Sequence, residues 1–281
     1  MTGAGRVPGL TVAVIARNAG ALIGGCLGTA TGAEVLLVVD HGSTDDTAEV
    51  AARAGAQVLP GEGTFAQLRA RATEAACTEW ILFIDADERL APGAIGRLHA
   101  LVAAHPRVAG FRLPILSHLG ERPLRWGGYA PARRLRLLRR DAARWPPASV
   151  HERAVVTGPV RRGDETILHH GYRDRAHARA KLERYAALSA VDLRTLGRRP
   201  GHVEVALRAG WRLVRVALLR GGWLMGRDGW WLAAEQARAV WLRGRWARRG
   251  PPAALVAPPD DPHGTGGADG RFACDPPHLR D

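Results

Sequence analysis

Apolar positions in the first hundred residues fall into short unbroken runs, separated by stretches of helical spacing. Residues 10–15, 35–39 and 80–84 are apolar and rich in β-branched side chains, the pattern of strands covered on both faces, and residues 57–59 form a shorter run of the same kind. Between them, the spacing predicts helices over about 45–54 and 65–76, the latter with Phe65, Leu68, Ala72 and Ala75 on one face. Asn18 is placed to cap a helix after the first strand, and Ser43 or Thr44 to cap the helix whose first turn holds Asp45 and Asp46. Strand–helix alternation of this type predicts a parallel sheet with helices on both faces, and ligands bind such sheets beyond the carboxyl ends of the strands. From 107 to 172 the pattern breaks into short apolar pieces separated by Gly, Pro and Arg, which reads as a mixed sheet with long loops. Residues 175–197 read as a helix and 203–249 as two or three helices rich in Trp and Arg. The predicted class is therefore α/β: a Rossmann-like, mixed, mostly parallel sheet over 1–175, in halves 8–105 and 106–175. Amphipathic helices over 176–249 follow, then a Pro-, Gly- and Asp-rich tail over 250–281 read as disordered.

The chemistry concentrates where the strands end. Asp85-Ala86-Asp87-Glu88 directly follows the apolar run Trp80-Ile81-Leu82-Phe83-Ile84. Grouped carboxylates at the end of a buried strand repel one another and resist desolvation. A hard cation relieves this, and Mg²⁺ or Mn²⁺ typically takes one or two protein carboxylates and completes its shell with phosphate oxygens and water. A solvated turn with helix-capping acids is the structural alternative. Asp40 closes the second run and precedes His41-Gly42-Ser43-Thr44-Asp45, where Gly42 permits a tight turn. A strand-terminal aspartate can accept from a base N–H or a ribose hydroxyl, or it can simply organise the strand–helix junction.

Charge and composition sharpen the picture. The chain carries 40 basic and 27 acidic residues for a net +13, unevenly spread: residues 1–100 hold 11 acids against 7 bases, residues 101–281 hold 16 against 33. Such asymmetry points to an anionic partner for the second part, although Lys181 is the sole lysine and an arginine-rich coding habit accounts for some of the excess. Six of the nine tryptophans lie between Trp211 and Trp246. Arg208, Arg212 and Arg215 repeat at helical spacing, with Leu207, Trp211, Val214 and Leu218 largely apart from them. One reading is an anionic membrane surface engaged by this helix; the other is a helical hairpin with an arginine-rich solvent face. Nucleic acid is disfavoured as a partner, for the chain has no helix-turn-helix, zinc-finger or RRM signature. A basic nucleic-acid- or lipid-binding protein without catalysis remains the alternative class. Cys26, Cys77 and Cys274 have no metal-ligand spacing, and no run of 18 apolar residues occurs, so the expected location is cytoplasmic, peripheral on the inner face of the cell membrane if the helices engage lipid.

Taken together, Val39-Asp40-x-Gly42-Ser43-Thr44-Asp45 and Phe83-x-Asp85-Ala86-Asp87-Glu88 resemble glycosyltransferase family 2, which has the GT-A fold. Phe65-Ala66-x-x-Arg69, Gly127-Gly128-Tyr129-x-Pro131, Leu135-Arg136-Leu137-x-Arg139, Val150-His151-Glu152 and Leu168-His169-x-x-Tyr172-Arg173-Asp174 narrow the resemblance to the branch of lipopolysaccharide-core β-1,4-glucosyltransferases. The resemblance implies an inverting hexosyl transfer from a nucleotide-sugar, UDP-hexose being usual, to a phosphorylated glycan or glycolipid acceptor. Residues 8–105 would bind the donor and 106–175 the acceptor. Asp40, Ser43, Arg69, Arg71, Asp85, Ala86 and Asp87 would contact the nucleotide-sugar. Asp85, Asp87 and His169 would be metal ligands, Glu152 beside His151 the catalytic base, and Asp174 the reserve base. Ala132 stands where relatives commonly carry Asp, a departure that bears on the acceptor.

Overall fold

The computed structural model describes residues 9–146 and 154–256. The chain forms two compact units: residues 9–115 with 132–169, and residues 116–131 with 170–256. The predicted stretch 106–175 is thus divided between them.

The first unit opens with β1 (Leu10–Ala16), α1 (Gly20–Gly28), β2 (Val35–Asp40), α2 (Thr47–Arg53), β3 (Gln57–Pro60), α3 (Phe65–Ala75) and β4 (Trp80–Asp85). It continues through β5 (Glu88–Leu90) and α4 (Ala94–Ala103) into β6 (Gly110–Leu119). The strand β7 (Arg122–Pro123) belongs to the second unit; β8 (Ala132–Arg139), β9 (Ala143–Arg144), β10 (Val155–Val156) and β11 (Val160–Arg162) return to the first, and β12 (Ile167–Tyr172) runs out of it. The main sheet is ordered β3-β2-β1-β4-β8-β6-β12-β5, with β7 and β11 paired on β6. β1, β2, β3 and β4 are mutually parallel, whereas β8 runs antiparallel to both β4 and β6. The result is the mixed sheet expected.

Helices do cover both faces, and alternation along β1 shows it. Val12 and Val14 join a core with Ile23 and Leu27 of α1 and Ile95 and Leu98 of α4; Ala13 faces the opposite way, into a core with Leu68 and Ala72 of α3. The α3 start is a reciprocal capping box between Thr64 and Gln67, which fixes where the helix leaves the loop. The helix α4 and the short strand β5 have no counterpart in the sequence reading, although Ala94, Ile95, Leu98 and Val102 of α4 are buried at helical spacing.

The second unit holds α5 (Arg175–Thr195), α6 (His202–Val214), a π-type turn at Arg215–Leu219, a 3₁₀ turn at Gly222–Met225, α7 (Gly226–Arg249) and α8 (Ala253–Val256). Two buried acids tie it together. Asp228 accepts from Arg122 at 2.7 Å and Arg175 at 2.6 Å, and Glu235 of α7 accepts from Arg179 of α5 at 2.6 Å. Within the stretch read as a tail, Ala253–Val256 is helical. Leu255 and Val256 pack against the Leu182–Ala186–Trp246 cluster, so an apolar pair just past the prolines is enough to add a helical turn. Residues 257–281 lie outside the described residues. Among the described residues, no helix is long and apolar enough to cross a membrane.

The orientation of α6 reverses the expected hairpin. Val203, Leu207 and Trp211 are 74%, 69% and 57% exposed, while Arg212 is 4% exposed. Close packing sets this rotation: Gly244 of α7 has no side chain, and Val205 of α6 fills that space so closely that a Cβ on Gly244 would lie 2.3 Å from a Val205 methyl. With Val205 and Arg212 turned inward, the positions about 180° round the helix must face out. Gly244→Ala is therefore expected to lower stability by about 1–3 kcal/mol through overpacking. Gly210→Ala, on the open side with nothing near its Cβ, should raise stability by up to about 1 kcal/mol through helix propensity. Urea unfolding of the two variants measures both.

Candidate active site

Two carboxylates mark the ends of parallel strands on either side of β1. Ile15 is in register with Asp85 and Ala16 with Asp40, so one strand separates them and their backbones lie roughly 10 Å apart. Both stand at carboxyl ends, where a parallel sheet leaves room for a ligand.

At the Asp40 end, side chains tie the junction together. Asp40 accepts from the Ser43 N–H at 3.2 Å and from the Ser43 hydroxyl. That hydroxyl oxygen in turn accepts from the Asn18 N–H at 2.9 Å, and Asn18 Oδ1 accepts from the Thr44 N–H at 2.8 Å. These bonds replace the caps expected from sequence. Asn18 sits in the left-handed region at φ 49 and braces the neighbouring loop instead of starting α1. Neither Ser43 nor Thr44 caps α2, which begins at Thr47; there Asp45 accepts from the Thr47 N–H at 3.1 Å and, across the loop, from the Gly20 N–H at 3.0 Å. Burial would raise the Asp45 carboxyl, but these hydrogen bonds outweigh it and hold it below its usual range.

At the Asp85 end, an arginine organises the carboxylates. Arg136 lies mid-strand in β8, and its Nη2 donates to Asp85 Oδ2 and Glu88 Oε1, each at 2.7 Å. The other oxygen of Glu88 accepts from the Asp85 N–H at 2.8 Å, closing the turn between β4 and β5. Arg69 of α3 approaches Asp85 to 4.0 Å with its guanidinium over the rings of Phe65 and Trp145. Burial pushes the Asp85 carboxyl up, yet the charge and hydrogen bonds of Arg136, with Arg69 behind them, bring it below the ordinary carboxylate range. Glu88 goes the other way: burial raises it to about 7, against the pull of Arg136. His169 on β12 meets Asp87, Nε2 to Oδ2, at 3.1 Å.

The structure adds a partner that the sequence argument did not include. Clustered acids called for a positive charge, and the guanidinium of Arg136 supplies it. Of the expected metal ligands, Asp85 accepts from Arg136 and Asp87 meets His169. Among the described residues, no group of three or more His, Cys, Asp or Glu side chains is arranged to hold a metal ion. Access differs too. The Asp85 side chain is 34% exposed, whereas Asp87 is 7% and Glu88 2% exposed. One carboxylate and one imidazole still fit a Mg²⁺ or Mn²⁺ site of the kind completed by phosphate oxygens and water.

Other expected residues are only partly gathered here. Ala86 is buried, and its carbonyl accepts from Arg89 at 2.9 Å. Arg71 is exposed and lies about 200° round α3 from Arg69, away from the carboxylates. Asp174 is in the second unit, where it caps α5 by accepting from the His177 N–H at 2.7 Å. His151 and Glu152 lie outside the described residues. The residue that sequence reasoning passed over is Arg136. Its signal is a charge inside Leu135-Arg136-Leu137-Leu138, since an arginine within a buried strand needs an acidic partner.

Removing that partner should be costly. Arg136→Ala leaves Glu88 buried without its cation and is expected to lower stability by about 3–5 kcal/mol in urea unfolding. Glu88 also predicts a pH dependence. Its folded value of about 7 exceeds the ordinary 4.5, so the folded state binds more protons between those limits and stability falls as pH rises through them. Glu88→Gln should flatten that slope in melting curves taken between pH 4.5 and 7.

The family model for glycosyl transferase family 2 matches residues 11–165. The lipopolysaccharide core biosynthesis glycosyltransferase LpsC of Rhizobium meliloti is 30% identical over 237 residues, covering 78% of this chain and 84% of that protein. An uncharacterized glycosyltransferase of Mycobacterium tuberculosis, Rv0539, is 39% identical over 102 residues, 32% of this chain and 45% of its own length. Among solved structures, glucosyl-3-phosphoglycerate synthase from Mycobacterium tuberculosis, in complex with Mn²⁺, UDP and glucosyl-3-phosphoglycerate, overlaps at a TM-score of 0.35 and 21% identity, over 38% of this chain and 44% of that one. Mannosyl-3-phosphoglycerate synthase from Rubrobacter xylanophilus gives 0.35 and 25%, over 38% and 40%. The chain spans less than half the length of either. With the family model matching over half of its residues and LpsC aligned along most of its length, the chain belongs to glycosyl transferase family 2, an α/β protein and a transferase enzyme.

Proposed function

We propose that the protein transfers a hexose from UDP-hexose, with inversion, to a phosphorylated glycan or glycolipid acceptor of the cell envelope, as in lipopolysaccharide core assembly. The observation that carries this reading is the pair of carboxylates, Asp40 and Asp85, at strand ends flanking β1, with Arg69 and Arg136 converging on the second. The name of LpsC supports the class of acceptor.

In this reading Asp40 and Ser43 receive the uracil or ribose, and Asp85 the ribose. Arg69 reaches the diphosphate as a guanidinium donor. Asp87 and His169 would hold Mg²⁺ or Mn²⁺ together with the diphosphate oxygens, and the ion would offset charge on the departing nucleoside diphosphate. Transfer is a single displacement: an acceptor oxygen bonds to the anomeric carbon as the bond to the diphosphate breaks, and a base takes the acceptor proton. Glu152, beside His151, is assigned as that base. Asp174 is the weaker choice, because the His177 N–H bonded to its carboxylate lowers its proton affinity. The acceptor's phosphates and an anionic membrane surface suit the excess of arginine beyond residue 100, and a cytoplasmic face of the membrane is the working location.

Thermal-shift measurement with UDP, GDP and ADP, each with Mn²⁺ or with EDTA, tests the donor assignment. UDP with Mn²⁺ should raise the midpoint most, by the equivalent of about 2.7 kcal/mol at one hundred times the dissociation constant. An EDTA-insensitive shift would remove the metal from the reading, and a preference for GDP would remove uracil. Asp85→Ala should lower turnover by about a hundredfold or more with the fold intact, and Glu152→Gln should block transfer while sparing the UDP shift.

A further inference from the structure

The second unit carries an apolar stripe that nothing among its described residues covers. Val203, Leu207, Trp211, Val214 and Leu218 follow one another at helical spacing along α6 and the turn after it, and all are exposed. Trp223 and Leu224, in the 3₁₀ turn that follows, are each about half exposed. A helix of this length normally buries such a face. Here Val205 and Arg212 are buried in its place, and the Gly244 contact fixes that choice. At the N-terminal end of α6 lies a cavity of about 180 Å³ lined by Arg198, Arg199, Arg208 and Arg243. Among the described residues that line it, the one acid, Glu204, is engaged by Arg208 at 2.9 Å.

We propose that this face of α6 docks into the interface of an anionic lipid bilayer, with the arginine-lined cavity taking lipid phosphate. Charge complementarity selects this occupant. A bare apolar stripe would suit a protein partner or a second copy equally, but one on a helix whose N-terminal end adjoins the exposed Arg198 and Arg199 suits a surface dense in negative headgroups. Tryptophan side chains rest well at that depth, with the ring in the apolar zone and the N–H in the wet one. The assignment differs from the arginine stripe read from sequence: Arg212 faces inward, and apolar groups make the contact. It rests on the membrane-facing part of the proposed function and names the surface responsible.

Flotation of the full chain with vesicles tests it. The protein should float with phosphatidylcholine vesicles containing phosphatidylglycerol, and less so as salt rises. Leu207→Glu combined with Trp211→Glu should reduce flotation by about tenfold or more. Arg198→Gln and Arg199→Gln should each reduce it about fivefold on anionic vesicles. Circular dichroism confirms that the variants, all at exposed positions, remain folded. Unchanged flotation of the Leu207/Trp211 variant would overturn the proposal. So would a dimer in solution that the same substitutions dissociate, which would make the stripe an interface between copies. The UDP thermal shift of these variants should match the unaltered protein; its absence in the unaltered protein would defeat the donor reading while leaving the flotation result to stand alone.

Discussion

A single guanidinium, that of Arg136, makes the end of β4 tenable. Asp85 and Glu88 lie three residues apart in a tight turn between two strands of one sheet, and Asp87 lies between them. Without a buried cation, one or more of these acids would have to take up a proton or turn outward, and the turn would not hold its shape. Arg136 bonds to both carboxylates from the neighbouring strand β8, so the antiparallel pairing of β8 with β4 becomes a condition for the site as well as for the sheet. Arg69 adds a second positive group from α3, its position set by the Thr64 capping box and by the rings of Phe65 and Trp145.

Much of this was legible in the chain itself, and the reasons are local. The runs at 10–15, 35–39 and 80–84 read as strands because a strand buried on both faces has no polar alternation to blur it. The carboxylates at 40 and 85 stood out because each ends such a run. The partners were harder to see. Arg136 lies 51 residues from Asp85, and only the antiparallel return of β8 brings them together. Sequence spacing cannot say whether a cluster of acids meets a metal ion or a guanidinium, since both supply the same missing charge. His169 illustrates the same limit from the other side: its contact with Asp87 spans 82 residues and depends on the position of β12.

The helical unit gives the opposite lesson. Periodicity identified which residues of α6 share a face, yet the direction of that face was set elsewhere, by a glycine in α7 that admits a valine. Arginine on one side and leucine with tryptophan on the other is a pattern that can be installed either way round. The choice made here spends a buried arginine on the interior and leaves apolar groups outside, an arrangement stable in water only so far as α7 holds it.

Ser43 has a less visible effect at the other end of the sheet. Its hydroxyl already donates to Asp40 while its oxygen receives the Asn18 N–H. A carboxylate offers about four acceptor positions, so the two bonds from Ser43 fix the orientation of Asp40 and leave it able to accept further donors. One hydroxyl thus ties the end of β2 to the loop before α1, so the rotamer of Ser43 sets the position of both.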